Sequence, residues 1–400
     1  MKQAFITLFL LCFGITIAEE GRLQAEKSKY PDFSWDKVPL YMHLRKSAAY
    51  TEEELNYLAQ FPLITLEKSN GNKTYGSTEQ GCIAASKAIK AVNPAAKVLY
   101  YRNVVINWGG YNKDSEYLKK HPEALLLGKD GKKTFMSNGK SPFFDLSSKP
   151  VRDYWLAHAT EMARQPSIDG LFMDANIKVL SNFFRGRVGI DKMKEIQTGY
   201  FDMMNRLHTS LGKESILLAN IVRVRPEEVF KKDAGLNLLK YFDGSYLEGF
   251  ESKGFGLTAE EYLAKGITAA QTAAREGKII AMSLGLGKEK MEGKIEGIDD
   301  RREKAEANNQ ARIDYLLSIF LVCAEKYSYL YIHDGYSVNK GKKGYDSSVW
   351  LKTFPQYQKK LGKPKGYAKR EGYVYTRSFE HVDVWLDIKN KTARLDWKNQ

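Results

Sequence analysis

A (β/α)₈ barrel with a small C-terminal antiparallel β appendage is the fold this 400-residue sequence predicts. Three observations carry the prediction. Eight short apolar runs alternate with helix-like segments through most of the chain. The runs read as near-continuous apolar stretches, as strands buried on both faces do, and not as a period-two alternation. No glycine-rich phosphate turn follows the first run, which argues against a doubly wound open sheet.

Taken in order, Val38–Leu44 is the first strand, and Thr51-Glu-Glu-Glu54 then opens a helix as a capping box. Phe61–Glu67 is the second strand, and Ser77-Thr-Glu-Gln80 opens a helix that stops near Asn93-Pro94. Lys97–Ile106 is the third strand. A wide excursion follows it, through Trp108, a short helix near Ser115–Lys120 and an Asp130-Gly131 hairpin turn. Ser148–Arg164 is amphipathic helix, Asp169–Asp174 the fourth strand, and Ile190–Leu211 a helix. Ser215–Asn220 is the fifth strand, with a helix expected from about Pro226. Tyr241–Glu248 is the sixth, Thr258 caps the next helix, and Lys278–Leu284 is the seventh. A charged loop leads to a long helix ending near Tyr327, and Tyr329–His333 is the eighth. Beyond about residue 365, Gly372–Phe379, His381–Asp387 and Thr392–Trp397 alternate with closely spaced turns, as an antiparallel appendage does. The expected organisation is therefore 1–18, 19–35, 36–364 and 365–400: signal peptide, leader, barrel and appendage.

The N-terminal segment is assigned separately from the fold. Lys2 precedes an apolar run, Thr16-Ile17-Ala18 supplies small residues for cleavage, and Glu19-Glu20 ends the run. This pattern predicts a secretory signal cut after Ala18, and so a secreted or periplasmic protein. The two remaining cysteines, Cys82 and Cys323, leave one optional disulfide open. Apolar residues at 43% and charged residues at 28% exclude a disordered or collagen-like chain. No later stretch is long and apolar enough for an integral membrane span. The net charge of +14 argues, for an exported protein, against nucleic acid and leaves anionic glycans, acidic cell-surface polymers or a negatively charged membrane face as partners.

Active residues of such a barrel sit at the carboxyl ends of strands, where the βα loops form the mouth. Asp174 ends strand four and Glu248 ends strand six. Two facing carboxyls suffice for glycoside hydrolysis, with Asp174 expected as nucleophile or base and Glu248 as general acid. Candidate substrate-binding residues are Tyr41, Arg102, Trp108, Asp145, Asn176, Asn220, Tyr246, Glu251, His333 and Asp334. Tyr111, Phe250 and Tyr336 are further candidate stacking rings, and Arg223 and Arg225 candidate anion contacts. Asp169 and Asp243, each before a glycine, read as strand-entry residues at the opposite end of the barrel. A metal-dependent hydrolase is disfavoured, since strand one offers His43 alone. No serine-hydrolase elbow and no Walker motif occur.

Asp169-Gly-Leu-Phe-Met-Asp174 and Asp243-Gly-Ser-Tyr-Leu-Glu248 resemble paired strand ends of the hypothetical glycosyl-hydrolase-like families of secreted bacterial proteins and of the polygalactosaminidase-type group. Phe33–Pro39 and the Arg377-Ser-Phe379 and Val382-Asp-Val384 segments are similar to that set as well. The resemblance implies a barrel, hydrolysis of glycosidic bonds, no required cofactor, and carboxylates at Asp174 and Glu248. The expected partner is a polysaccharide or oligosaccharide, an anionic one among the candidates, with the oligomeric state left open. A glycan-binding protein on a degenerate barrel and a polysaccharide lyase are the alternatives.

Overall fold

The computed structural model describes residues 29–251, 254–286, 300–339 and 350–398, the segment 300–309 by its backbone alone. The expected signal peptide, 1–18, and most of the leader lie outside these residues.

Eight parallel strands follow one another around a single sheet: β1 Tyr41–Leu44, β2 Leu63–Leu66, β3 Lys97–Asn103, β4 Gly170–Asp174, β5 Ile216–Asn220, β6 Gly244–Leu247, β7 Ile279–Gly285 and β8 Ser328–His333. Bridges Leu40 to Leu330 and Arg45 to Ser337 join the last strand to the first, and the Leu330 N–H donates to the Pro39 carbonyl at 2.8 Å. The sheet thus closes as the predicted barrel. Capping boxes at Thr51/Glu54 and Thr258/Glu261 start the helices Glu52–Leu58 and Ala259–Arg275 where the sequence places them. The excursion after β3 carries a helix at Asn112–Lys120, somewhat longer than expected, and the hairpin bridge Leu127 to Lys133.

The Asp-Gly pairs explain themselves at the floor of the barrel. Asp169 accepts from the Val98 N–H and Asp243 from the Leu217 N–H, both at 2.8 Å. Lys90 and Lys29 neutralise them, at 2.9 and 2.8 Å respectively. A Cβ on Gly170 would sit 2.0 Å from the Ile216 carbonyl oxygen, and one on Gly244 2.1 Å from that of Ile279. Each Asp-Gly therefore fastens one neighbouring strand by a carboxylate and admits the other by lacking a side chain. As expected, neither aspartate belongs to the mouth.

Inside the barrel, aromatic rings fill the cross-section. Phe172 packs edge-on to Tyr246 at 5.1 Å and is stacked with Tyr101 at 5.7 Å, while His43 lies 4.8 Å from Phe172. This ring layer is the bed on which the mouth residues stand.

Three elements differ from expectation. The helix expected after β5 is reduced to one turn, Glu228–Lys231, and a 3₁₀ stretch, Leu236–Tyr241. The long helix Asp300–Cys323 stops before Tyr327. The appendage has four antiparallel strands, not three: β9 Lys369–Glu371, β10 Val374–Ser378, β11 Val382–Asp387 and β12 Thr392–Trp397. It packs against that long helix, and Arg377 donates to the Leu321 and Ala324 carbonyls at the helix C-terminus. Cys82 and Cys323 are buried free thiols, so the optional disulfide is not formed.

Candidate active site

Side chains along a strand alternate between its two faces. Phe172 points inward in β4, and so does Asp174 two residues on. The same step leads from Leu218 to Asn220, from Tyr246 to Glu248 and from Tyr101 to Asn103. Asp174 is held on three sides. Its Oδ2 accepts from the Tyr101 hydroxyl at 2.6 Å, and its Oδ1 from the Ala175 N–H at 2.7 Å and the Asn220 Nδ2 at 3.2 Å. Ala175 has the left-handed backbone angle φ 67°, uncommon for a residue with a side chain and a form of strain concentrated at functional sites.

Asn220 joins the two acids. The same Nδ2 donates to Glu248 Oε1 at 2.9 Å. The bridged oxygens Asp174 Oδ1 and Glu248 Oε1 therefore lie no farther apart than the sum of these two contacts, 6.1 Å. Arg223 Nη2 braces the arrangement, 3.1 Å from Glu248 Oε1 and 3.2 Å from Asn220 Oδ1. The two carboxylates, 74 residues apart in the chain, converge over one end of the barrel.

Around this pair, the Tyr246 hydroxyl meets that of Tyr336 at 2.8 Å. His333 lies against Tyr331 and Tyr336, and its Nε2 is 2.9 Å from Ser283 Oγ. Burial lowers its pKa to about 4, with Asp334 partly opposing the shift. Burial likewise holds His43 well below the ordinary imidazole range. Both rings are neutral at neutral pH.

Glu67 is a mouth residue the sequence analysis missed, although it ends an apolar strand just as Asp174 does. It is 4% exposed, pairs with Lys68, and stands 3.7 Å from Arg45 Nη1. The Lys68 ammonium in turn lies over the Tyr101 ring at 4.9 Å and the Trp108 ring at 5.2 Å. Glu67 Oε2, Trp108 Nε1, Arg223 Nε and His333 Nδ1 are buried and lack a hydrogen-bond partner among the described residues. Each such atom costs about 1–3 kcal/mol when left unpaired.

Several predicted site residues serve the fold instead. Arg102 is out of step with Tyr101 and Asn103, so it points to the helices outside the barrel, where both its terminal nitrogens bind Asp114 at 2.7 and 3.0 Å. Tyr111 packs beside it, on that same outer face. Tyr41 is fully buried in the barrel interior, bound to Thr65 Oγ1 at 2.6 Å. Asn176 is equally buried and ties the Met173 carbonyl to the Tyr200 hydroxyl. Asp145 caps a turn at Ser147 and pairs with Lys192 at 2.8 Å. Glu251 is engaged through both oxygens by Arg312, which removes it as a rival acid. Phe250 packs on Gly266. Arg225 grips Glu227 beyond the pair. Trp108 and His333 do reach the mouth, with Asp334 following His333. Among the described residues, no three His, Cys, Asp or Glu side chains come together as a metal-ligand set, and no helix is long and apolar enough to cross a membrane.

With this geometry in view, the family assignment follows from a match over residues 90–383 to the model of hypothetical glycosyl hydrolase family 15. The chain belongs to that family. The match takes in β4, β5 and β6, and with them Asp174, Asn220 and Glu248. No curated protein matches the chain. Among solved structures, it is similar to α-L-fucosidase isoenzyme 2 from Paenibacillus thiaminolyticus, at 15% identity and TM-score 0.43 over 74% of this chain and 46% of that one. It therefore spans about half that protein's length. The α-amylase of Geobacillus thermoleovorans shows 12% identity and TM-score 0.48, over 88% and 87% of the two chains. Aspergillus fumigatus Ega3, solved with galactosamine, shows 14% and 0.38, over 69% and 89%.

Proposed function

We propose that this member of hypothetical glycosyl hydrolase family 15 hydrolyses glycosidic bonds of a polysaccharide or oligosaccharide, with Asp174 and Glu248 as the catalytic pair. The observation that carries the reading is the Asn220 amide shared between two strand-end carboxylates. Asp174, held in place by three donors, is the nucleophile. Glu248 keeps Oε2 clear of the Asn220 and Arg223 contacts, so this oxygen can protonate the leaving group and later activate water. The bridged oxygens lie no more than 6.1 Å apart, and we read the pair as a retaining one, in which one carboxylate carries a covalent glycosyl intermediate. Inverting pairs stand about 6.5 Å apart or more. We include an anionic glycan as the substrate, on the net charge of +14 and the guanidinium of Arg223 beside the pair. Export through the 1–18 signal completes the proposal, and N-terminal sequencing of the mature protein tests it.

The catalytic reading is tested by assaying neutral and anionic polysaccharides and activated aryl glycosides. Asp174→Asn should lower kcat by about 10³-fold or more on every substrate, since it removes the covalent step. Glu248→Gln should lose about 10²–10⁴-fold on polysaccharide and far less on a nitrophenyl glycoside, whose leaving group needs no proton. Both variants turning over at the wild-type rate would overturn the assignment. A product carrying a new ultraviolet chromophore would identify a lyase instead, and binding without any product a lectin-like role. Activity confined to neutral glycans would remove the anionic part alone.

A further inference from the structure

We infer that a groove beside the mouth is a second carbohydrate site, one that holds an anionic polysaccharide chain outside the catalytic pair. The groove encloses about 660 Å³ between the loop after β5, the helix Ala259–Arg275 and the start of the appended sheet. That volume is in the range of built ligand sites.

Its walls are cationic. Arg225, Lys231, Lys232, Lys265 and Arg370 line it, against two acids, Asp233 and Glu261. Both acids are already committed to backbone. Asp233 accepts from the Gly235 and Asn237 N–H groups, and Glu261 closes the capping box at Thr258. Lys231, Lys232 and Lys265 are exposed and form no ion pair among the described residues, so the groove keeps a net positive charge. A solvated lysine surface is ordinary by itself. Here it lines a concavity and meets aromatic faces suited to sugar rings: Phe255 is 49% exposed, with the Arg225 guanidinium 5.0 Å from its ring centroid, and Tyr373 lies at the far end.

Position ties the groove to the pair. Arg225 is two residues from Arg223, which contacts Glu248, and Phe255 is seven residues beyond Glu248. The groove therefore starts at the rim formed by the fifth and sixth βα loops and runs toward the appendage. The shortened helix after β5 leaves this space open, since a single turn stands where a full barrel helix would cover it. A chain bearing sulfate or carboxylate groups fits this charge.

The inference rests on the carbohydrate reading of the site but is measured without turnover. The full chain carrying Asp174→Asn is titrated with dextran sulfate, polygalacturonate, neutral dextran and single-stranded DNA. Dextran sulfate and polygalacturonate separate sulfate from carboxylate recognition, and tighter binding of either than of dextran and DNA is expected. Adding K231Q, K232Q, K265Q and R370Q should weaken that binding about tenfold. Removing the same charge elsewhere, with K87Q, K119Q, K120Q and K389Q, should change it less than twofold. Equal weakening by the two sets would show a diffuse field and overturn the proposal, as would tightest binding of DNA or no binding of either anionic chain. In the otherwise wild-type enzyme, the groove substitutions should raise KM on polymer and leave kcat on an aryl glycoside unchanged. Loss of turnover by Asp174→Asn with groove binding intact separates this site from the catalytic one.

Discussion

Asn220 supplies one amide nitrogen to two carboxylates, so its removal reaches both. Asn220→Ala withdraws the hydrogen bond that each carboxylate accepts and frees both from their shared position. The kcat is expected to fall about 10- to 100-fold, the worth of a hydrogen bond to a charged group, with KM little changed. An unchanged kcat would leave Asn220 as packing. Tyr101→Phe deletes the 2.6 Å bond to Asp174 and should lower kcat more weakly. At this scale the sequence disclosed the acids but not their company. Asp174 and Glu248 are legible because each ends an apolar strand. Glu67 was legible by the same rule and was passed over, whereas Arg102 is excluded by alternation, being one step out of phase with Tyr101. The shared amide was not legible, because it depends on the angle at which β5 stands between β4 and β6.

Elements show where local signals suffice and where they do not. The capping boxes at Thr51 and Thr258 are local chemistry, and both helices begin as read. The helix expected from Pro226 is cut to one turn, since after Lys231 the chain turns at Ala234 and Gly235, both with positive φ. The Asp-Gly motif had two layers of meaning: its last residue reaches the mouth, while its first two are a floor staple visible only once neighbouring strands are in place. Gly170→Ala or Gly244→Ala would drive a methyl into a facing carbonyl, and a loss of about 3 kcal/mol or more in urea unfolding is expected. Arg377 ties the appended sheet to the helix Asp300–Cys323 and pairs with Glu325 at 2.9 Å. Arg377→Ala leaves that half-buried glutamate unpaired, so a loss of about 3 kcal/mol is expected, with earlier proteolysis in the appendage.

Across the whole molecule, buried imidazoles couple stability to acidity. His333 is lowered to about 4 and His43 well below its ordinary range, both by burial. The unfolded chain takes up protons near pH 6.5, where the folded chain does not. Stability should therefore be complete above pH 6.5 and fall as pH drops toward 4, His333 alone contributing on the order of 3 kcal/mol to the loss. Urea midpoints between pH 7.5 and 4.5 measure this, and His333→Asn should flatten the curve. Cys82 and Cys323 belong to different helices of the outer layer and are both 1% exposed, and burial pushes each thiol up. An alkylating reagent thus reaches them only when the layer around each one parts. The native protein carries two sealed fuses in separate arcs of its wall, and the order in which they react under rising temperature reports which arc gives way first.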